Sequence, residues 1–487
     1  MNVIRNLLKK IRGSYNDISL PVKASLWFAL CSILQRGISI ITMPLFTRIM
    51  PTGDFGKYAI FNTWYNIFII IITLNINSEV FNKGLIENSD DKDKYTTNQA
   101  MLLIVLACFF CIFYSLTSTL INRLTGLSTN LVFIMICEIL GNGIIVLWSG
   151  RQRFDYRYIS IVVVTIATSI MSPLLGIFAV LNSERKAEAR IYSNAVVYVL
   201  VGIILLCSIL KKSREKINLN WWKRSIFLSL PLVPHYLSLV LLNQSDKLMI
   251  NHFIDAEHAA IYSVAHSAGL LMTIINTSIN GSFVPWSYNQ LKNNNGDGIN
   301  NISNYLYGIV VGVNALLIWF APEAIHLLAA PQYSEAVWCL VPIAASVYFF
   351  FVYTLFVDVE IYYGGTKYVA YASVSAAILN LSLNYIFIPQ YGYIAAGYTT
   401  LASYIVTMIL HYIFLRMILK KNSNMTKLFD VSVICFFSMV MLSLSAIAIL
   451  IYNHLIIRLV CFAIGLIAVL INRKYIVKVF KTMKMKK

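Results

Sequence analysis

Ala24-Ser-Leu-Trp-Phe-Ala-Leu-Cys-Ser-Ile-Leu-Gln-Arg36-Gly-Ile-Ser-Ile-Ile-Thr-Met-Pro-Leu-Phe46 is an apolar run broken by a single charge. About 20 such residues suffice to cross a bilayer as a helix, so the run reads as a membrane span with Arg36 in its middle. A cation at mid-bilayer costs several kcal/mol, about 3 on insertion scales, and is normally kept for a partner, an ion or a substrate. Ser25, Ser32 and Ser39 fall within about 60° of Arg36 at 100° per residue, which gives the helix a polar stripe.

The rest of the chain repeats the pattern. With 58% hydrophobic and 12% charged residues over 487 positions, too little polar surface exists to clothe a soluble fold, and the expected class is an all-α polytopic membrane protein. Runs of suitable length number about fourteen, from Ala24–Phe46 to the short Leu455–Ile471. They divide into an N-lobe at 1–210 (helices 1–6), a basic linker at 211–224, a C-lobe at 225–415 (helices 7–12), and two trailing helices with a basic tail at 416–487. Met1 to Lys23 is basic and amphipathic without a short cleavable apolar core, so no cleaved signal is expected.

Assigning loops alternately to two sides places 30 of the 39 Lys and Arg on one side and eight on the other, among them Arg190 and Arg458, with Arg36 left over. That asymmetry puts both termini in the cytoplasm and accounts for the net charge of +18 without nucleic acid. The eight cysteines sit in apolar runs, and Cys108 and Cys111 read as packing and not as a metal or redox pair. The stretch Ser78 to Asn98, with its Asp90-Asp91-Lys92-Asp93-Lys94 run, reads as a solvated loop.

A shift of 204 residues lays the start of span 2, with Tyr58, on the start of span 8, with Tyr262. Six spans separate them, so the two halves run in the same membrane direction. Polar stripes recur at these related places: Tyr58, Asn62 and Tyr65 on span 2, and Tyr262, His266, Thr273, Asn276 and Asn280 on span 8. Span 7 adds His235 and Ser238, with Asp246 and Lys247 at its outer end, and Pro231 and Pro234 interrupt it. Helix-to-helix hydrogen bonding explains any one of these residues. Whole stripes on related helices read better as the lining of a water-accessible cavity.

Glu138 lies about as deep as Arg36. Either the two pair, or Glu138 titrates separately and carries a coupling proton or sodium ion. Asp358 and Glu360 read as solvated at a cytoplasmic helix end, with ion coupling as the second reading for Asp358. No GxxxxGK[ST] motif and no exposed catalytic constellation is present, so the expectation is a transporter without cofactor or metal, and not an enzyme.

Four segments then carry a resemblance. They are Pro44-Leu-Phe-Thr-Arg48-Ile-Met-Pro-Thr-Gly-Asp-Phe-Gly56-Lys-Tyr58; Pro231-Leu-Val-Pro234 leading to Ser245-Asp246-Lys247; Ala260-Ile-Tyr262-Ser-Val-Ala265; and Asn380-Leu-Ser-Leu-Asn384-Tyr-Ile-Phe-Ile-Pro389-Gln-Tyr-Gly392. Together with Arg36 the chain resembles the bacterial oligosaccharide flippases, the O-antigen and capsule repeat-unit exporters of the multidrug/oligosaccharidyl-lipid/polysaccharide exporter superfamily. The resemblance implies a V-shaped alternating-access transporter of two six-helix lobes plus two helices, in the bacterial cytoplasmic (inner) membrane. It implies as cargo an undecaprenyl-pyrophosphate-linked oligosaccharide, with membrane lipid around it and a polymerase and chain-length regulator as pathway partners. Arg36 would then hold the pyrophosphate, with Arg48 and Lys247 as further cations. Ser32, Ser39, Tyr58, Asn62, Tyr65, His235, Tyr262, His266, Thr273, Asn276 and Asn280 would line the cavity for sugars. The alternatives are a cation-coupled multidrug antiporter of the same superfamily and a membrane-embedded polymerase or acyltransferase.

Overall fold

A computed structural model describes residues 19–213, 217–422 and 428–461, less the side chains at 21, 22, 25, 26, 29, 32, 33, 36 and 422. The described residues are helical throughout, with no strand among them. In chain order the helices are α1 (Leu20–Ile49), α2 (Thr52–Thr73), α3 (Glu79–Glu87), α4 (Lys92–Thr125), α5 (Thr129–Phe154), α6 (Tyr158–Leu181), α7 (Lys186–Lys212) and α8 (Leu219–Ser229). After a 3-10 turn at Leu230–Leu232 follow α9 (Val233–Phe253), α10 (Ala256–Lys292), α11 (Gly296–Trp319) and α12 (Ala321–Leu328). A second 3-10 turn, Pro331–Tyr333, leads to α13 (Ala336–Tyr362), α14 (Thr366–Tyr391), α15 (Ile394–Asn422) and α16 (Val431–Ile451).

Twelve helices among the described residues are long and apolar enough to cross a membrane. They match the second to thirteenth expected runs; the first and the last, Ala24–Phe46 and Leu455–Ile471, fall partly outside the described residues. Side chains such as Leu116, Phe178 and Leu450 are 82%, 69% and 78% exposed, an outward apolar surface that only a lipid solvent accommodates. The chain is a multi-pass membrane protein.

Local chemistry sets the helix ends. Asn218, Asp255, Asn295 and Asp430 cap α8, α10, α11 and α16 by accepting from backbone N–H groups of the first turn. Gly126 ends α4 in the left-handed region at φ 69°, where a side chain would be strained. Pro231, with no N–H to give, sits in the 3-10 turn that separates α8 from α9.

The chain forms two compact units, Met1–Val240 and Leu241–Lys487, which divide inside α9. In the first, α7 packs on α5 and α6, and α1 packs on α6. A Cβ placed on Gly202 of α7 would lie 2.6 Å from the Cα of Gly141 on α5, so this crossing brings the two backbones together. In the second, α13 is the axis, with 78% of its apolar window buried against α15, α10 and their neighbours.

The expected solvated loop at 78–98 is instead built structure. It holds α3 and the first turn of α4, and Asp93 accepts from Arg151 Nε at 2.8 Å while Arg151 Nη1 reaches Asp155 at 2.6 Å. The acidic run therefore supplies partners to the basic end of α5, which charge spacing alone does not reveal. The same corner clamps α8, adjoining the expected linker. Asn98 Oδ1 accepts from Asn218 N at 2.6 Å and its carbonyl from Trp222 Nε1 at 2.9 Å. Arg224 donates to Glu87 at 2.8 Å and Tyr236 to Glu79 at 2.6 Å.

Candidate functional site

Each unit buries a polar cluster inside its membrane-spanning helices. In the first unit it starts at Glu138 on α5, 3% exposed. Asn194 Nδ2 of α7 donates to Glu138 Oε1 at 2.6 Å, and Ser172 Oγ of α6 donates to Asn194 Oδ1. Arg190 of α7 then donates to the Ser172 carbonyl at 3.1 Å. Its guanidinium lies over the rings of Phe46 on α1, 4.3 Å away, and Tyr58 on α2, 5.3 Å away. A planar, weakly hydrated guanidinium suits such a sandwich, which is worth about 2 kcal/mol when desolvated. Gly176 makes the room, because a Cβ there would sit 2.6 Å from Arg190 Nη1. Among the described residues Glu138 Oε2 and Arg190 Nε have no hydrogen-bond partner, and the acid and the base are joined to each other by two neutral side chains and not by a direct ion pair.

Arg190 is a residue whose burial the sequence reading missed. Counted among the outer-side bases, it is 7% exposed, in the second turn of α7. A base near a helix end usually snorkels to water; this one turns inward because aromatic faces and a serine carbonyl receive it.

In the second unit the centre is Asp246 on α9, 1% exposed. Tyr262 of α10 and Thr400 of α15 both donate to Asp246 Oδ2, the latter at 2.7 Å, and Asn384 Nδ2 of α14 donates to Oδ1 at 2.6 Å. Around them, Asn380 accepts from Asn384 at 3.2 Å and from Ser245 at 3.2 Å and donates to Thr400 at 3.3 Å, while Thr399 donates to Asn384. Asn380 and Asn384 share one face of α14 through their four-residue spacing. Lys247, 8% exposed, donates to Gln244 at 2.9 Å. One carboxylate thus has both oxygens served by hydroxyl and amide donors, which is what lets it stay buried.

A further buried pair lies along α13 and α15. His411 Nδ1 is 3.0 Å from Glu360 Oε2, and the Tyr353 ring stacks on the imidazole at 5.2 Å. Glu360 is fully buried and Asp358 8% exposed, so the solvated reading of both fails. They lie within a turn or so of the helix end, but the helices packed on α13 cover them.

The remaining expected residues separate into groups. Tyr65 accepts from Asn142 at 3.0 Å, one turn from Glu138, and Asn62 is half-buried beside it on α2. Tyr262 is fully buried and committed to Asp246, and Asn276 donates to the Val347 carbonyl of α13 at 3.1 Å. Thr273 turns back to the Leu270 carbonyl, Asn280 lies against Asp358, and His266 stacks on Tyr262, its Nδ1 without a hydrogen bond among the described residues. His235 belongs to the first unit, beside Tyr236. Ser39 bonds its own backbone at Gln35, and the exposed Arg48 donates to the Pro44 carbonyl at 3.1 Å. The Arg36 and Ser32 side chains lie outside the described residues, as does any pairing of Arg36 with Glu138.

The described residues are thus helical, in two units that each bury charge within their spans. The chain belongs to the polysaccharide biosynthesis protein family, whose model matches residues 22–291. It is similar to the Lsg locus putative protein 1 of Haemophilus influenzae, at 18% identity over 374 residues, covering 73% of this chain and 88% of that protein. Its fold is that of the lipid II flippase MurJ in an inward closed conformation, at TM-score 0.68 and 15% identity, covering 93% of this chain and 100% of that one. A multidrug resistance transporter of the MATE family in an inward-facing conformation shares the fold at TM-score 0.65 and 14% identity, over 82% of this chain and 99% of that one.

Proposed function

We propose that the protein is a flippase that carries an undecaprenyl-pyrophosphate-linked oligosaccharide from the cytoplasmic to the outer leaflet of a bacterial inner membrane, for O-antigen or capsule synthesis. The observation that carries this reading is a polysaccharide-biosynthesis family chain wearing a transporter fold over 93% of its length. Both termini are cytoplasmic in this reading, and access alternates between the two leaflets.

Arg36 anchors the pyrophosphate by bidentate, charge-assisted bonds, since the diphosphate must leave water and a guanidinium matches its geometry. Arg190, already sandwiched between Phe46 and Tyr58, adds positive potential in the same unit without needing to leave its place. Tyr58, Asn62 and Tyr65 meet sugar hydroxyls. The driving ion, a proton or sodium, acts at Asp246 or at Glu138, whose Oε2 accepts no hydrogen bond from the described residues. A polymerase and a chain-length regulator receive the product.

The test is a deletion strain scored for lipid-linked repeat unit on each leaflet, complemented with wild type, Arg36→Ala and Arg36→Lys. Accumulation on the cytoplasmic leaflet in the deletion strain, cured by wild type, is the expected result. Drug sensitivity with normal leaflet distribution would instead identify the cation-coupled antiporter. Full export with Arg36→Ala would remove Arg36 as anchor.

A further inference from the structure

A cleft of about 330 Å³ opens at one end of the second unit, apart from the buried clusters. Its walls are α12, the 3-10 turn before α13, the first turn of α13 and the residues just after α16. Because α13 runs about 40 Å from Ala336 to Tyr362, the cleft lies at the opposite end of that helix from Lys367. The charge count makes that the outer side. The volume is at the small end for ligand sites, which begin at about 300 Å³.

The floor is aromatic. Trp338 and Tyr452 present rings with centroids 5.9 Å apart, tilted by 51°. The Tyr452 hydroxyl is fixed on the Ile318 carbonyl, so its ring is held in place. The rim is polar: His326, Ser334, Glu335 and Asn453 are all exposed. Of these, only Glu335 is engaged, accepting from Tyr393 at 2.6 Å, and the side chains of His326, Ser334 and Asn453 have no hydrogen bond among the described residues.

Rigid aromatic planes beside uncommitted hydroxyl, amide and imidazole groups recognise a pyranose ring, whose C–H face packs on the aromatic ring while its hydroxyls bond at the edge. The charges exclude the other end of the cargo. Among the described residues no Lys or Arg lines the cleft, and nearby Arg458 is already held by Glu323 through bonds of 2.7 and 2.9 Å. Glu335 would repel a phosphate. The open, polar rim does not suit a polyprenyl tail either.

We propose that this cleft binds the saccharide portion of the cargo, uncharged sugar rings and not the pyrophosphate, at the outer end of the second unit. The proposal rests on the flippase reading above. It gives the transporter a second foothold for sugar, at the outer end of a membrane-spanning helix, where a translocated head group can be held while its diphosphate leaves the deep cations.

The probe is the oligosaccharide released by mild acid from the lipid fraction that the deletion strain accumulates. It is titrated onto purified full-length protein in nanodiscs, followed by saturation-transfer NMR and tryptophan fluorescence. Wild type should bind, Trp338→Ala and Asn453→Ala should each weaken binding about tenfold, Trp338→Phe should retain most of it, and inorganic pyrophosphate should not compete. Binding that is absent, unchanged in both Trp338→Ala and Asn453→Ala, or displaced by pyrophosphate overturns the proposal while the leaflet assay on wild type stands on its own. A deletion strain that accumulates no lipid-linked saccharide overturns the flippase reading, and this proposal with it.

Discussion

At an offset of 204 residues the two units match at the same helical junction. α1 ends at Ile49 and α9 at Phe253, α2 begins at Thr52 and α10 at Ala256, and Tyr58 and Tyr262 occupy the same place in those helices. What the tyrosines face differs. Tyr58 lies beside the guanidinium of Arg190, whereas Tyr262 donates to the carboxylate of Asp246. Thr42 stands where the second unit has Asp246, and Val240 stands where the first has Arg36. The shared register places the two tyrosines alike, while the charge each one meets comes from a position the other unit does not match.

The units also differ in how completely the carboxylate is served. Among the described residues Asp246 receives three donors, while Glu138 receives one. The largest expected effect tests that contrast. Asp246→Asn removes the charge and turns one of the two acceptor oxygens that Tyr262, Thr400 and Asn384 share into an amide NH2, and bonds to a charged group are worth about 1.5–3 kcal/mol each. The melting temperature in detergent should fall sharply and leaflet export be lost. Glu138→Gln keeps an acceptor for Asn194, so its melting temperature should drop far less; equal losses would erase the difference between the clusters.

Next in size is Arg190→Ala, which forfeits the aromatic sandwich and frees the Ser172 carbonyl, for about 2–3 kcal/mol. Arg190→Lys should recover only part of it, since an ammonium does not lie flat between two rings. Full stability in the lysine variant would show that charge alone matters in the first unit. Gly176→Ala should act in the same direction but more weakly, by pushing the guanidinium from its slot, and a crystal or cryo-EM map would show Arg190 displaced.

The smallest effect concerns the second unit's own arginine. Arg458 differs from Arg190 in having a direct carboxylate partner, and its hydrogen bonds hold the Glu323 carboxyl below its ordinary value. A depressed carboxyl contributes stability that is present above its unfolded value and lost as pH falls through the folded one. Glu323 is nearly half exposed, so water screens the pair to less than about 1 kcal/mol. Wild type should therefore lose a small stability advantage over Glu323→Gln as pH drops through the acid range below about 4.3, read from melting temperatures. A gap that widens on acidification would contradict it.

The helices were largely readable, because lipid exposure forces long apolar runs and hydrogen-bonded caps mark their ends. The clusters were less so. Glu138 announced itself as an acid in mid-span, and Tyr58 and Tyr262 through the repeat. Arg190 and Asp246 did not, because a charge near a helix end has the same sequence signature whether it reaches water or turns inward. Only the rings of Phe46 and Tyr58, or the donors from α10, α14 and α15, decide between those outcomes, and they come from distant parts of the chain. The same holds for Glu360, whose partner His411 lies 51 residues away.

The clamp on α8 bears on how such a chain is made. Residues 218–236 are tied by Asn98, Glu87 and Glu79 to a corner that the ribosome has already released, so the opening of the seventh span has a finished template before the second unit exists. Nascent chains fold from the amino end, domain by domain. A translation product halted near residue 240 would carry a closed set of bonds, and insertion of the second half can begin from an oriented stub and not from a loose tether.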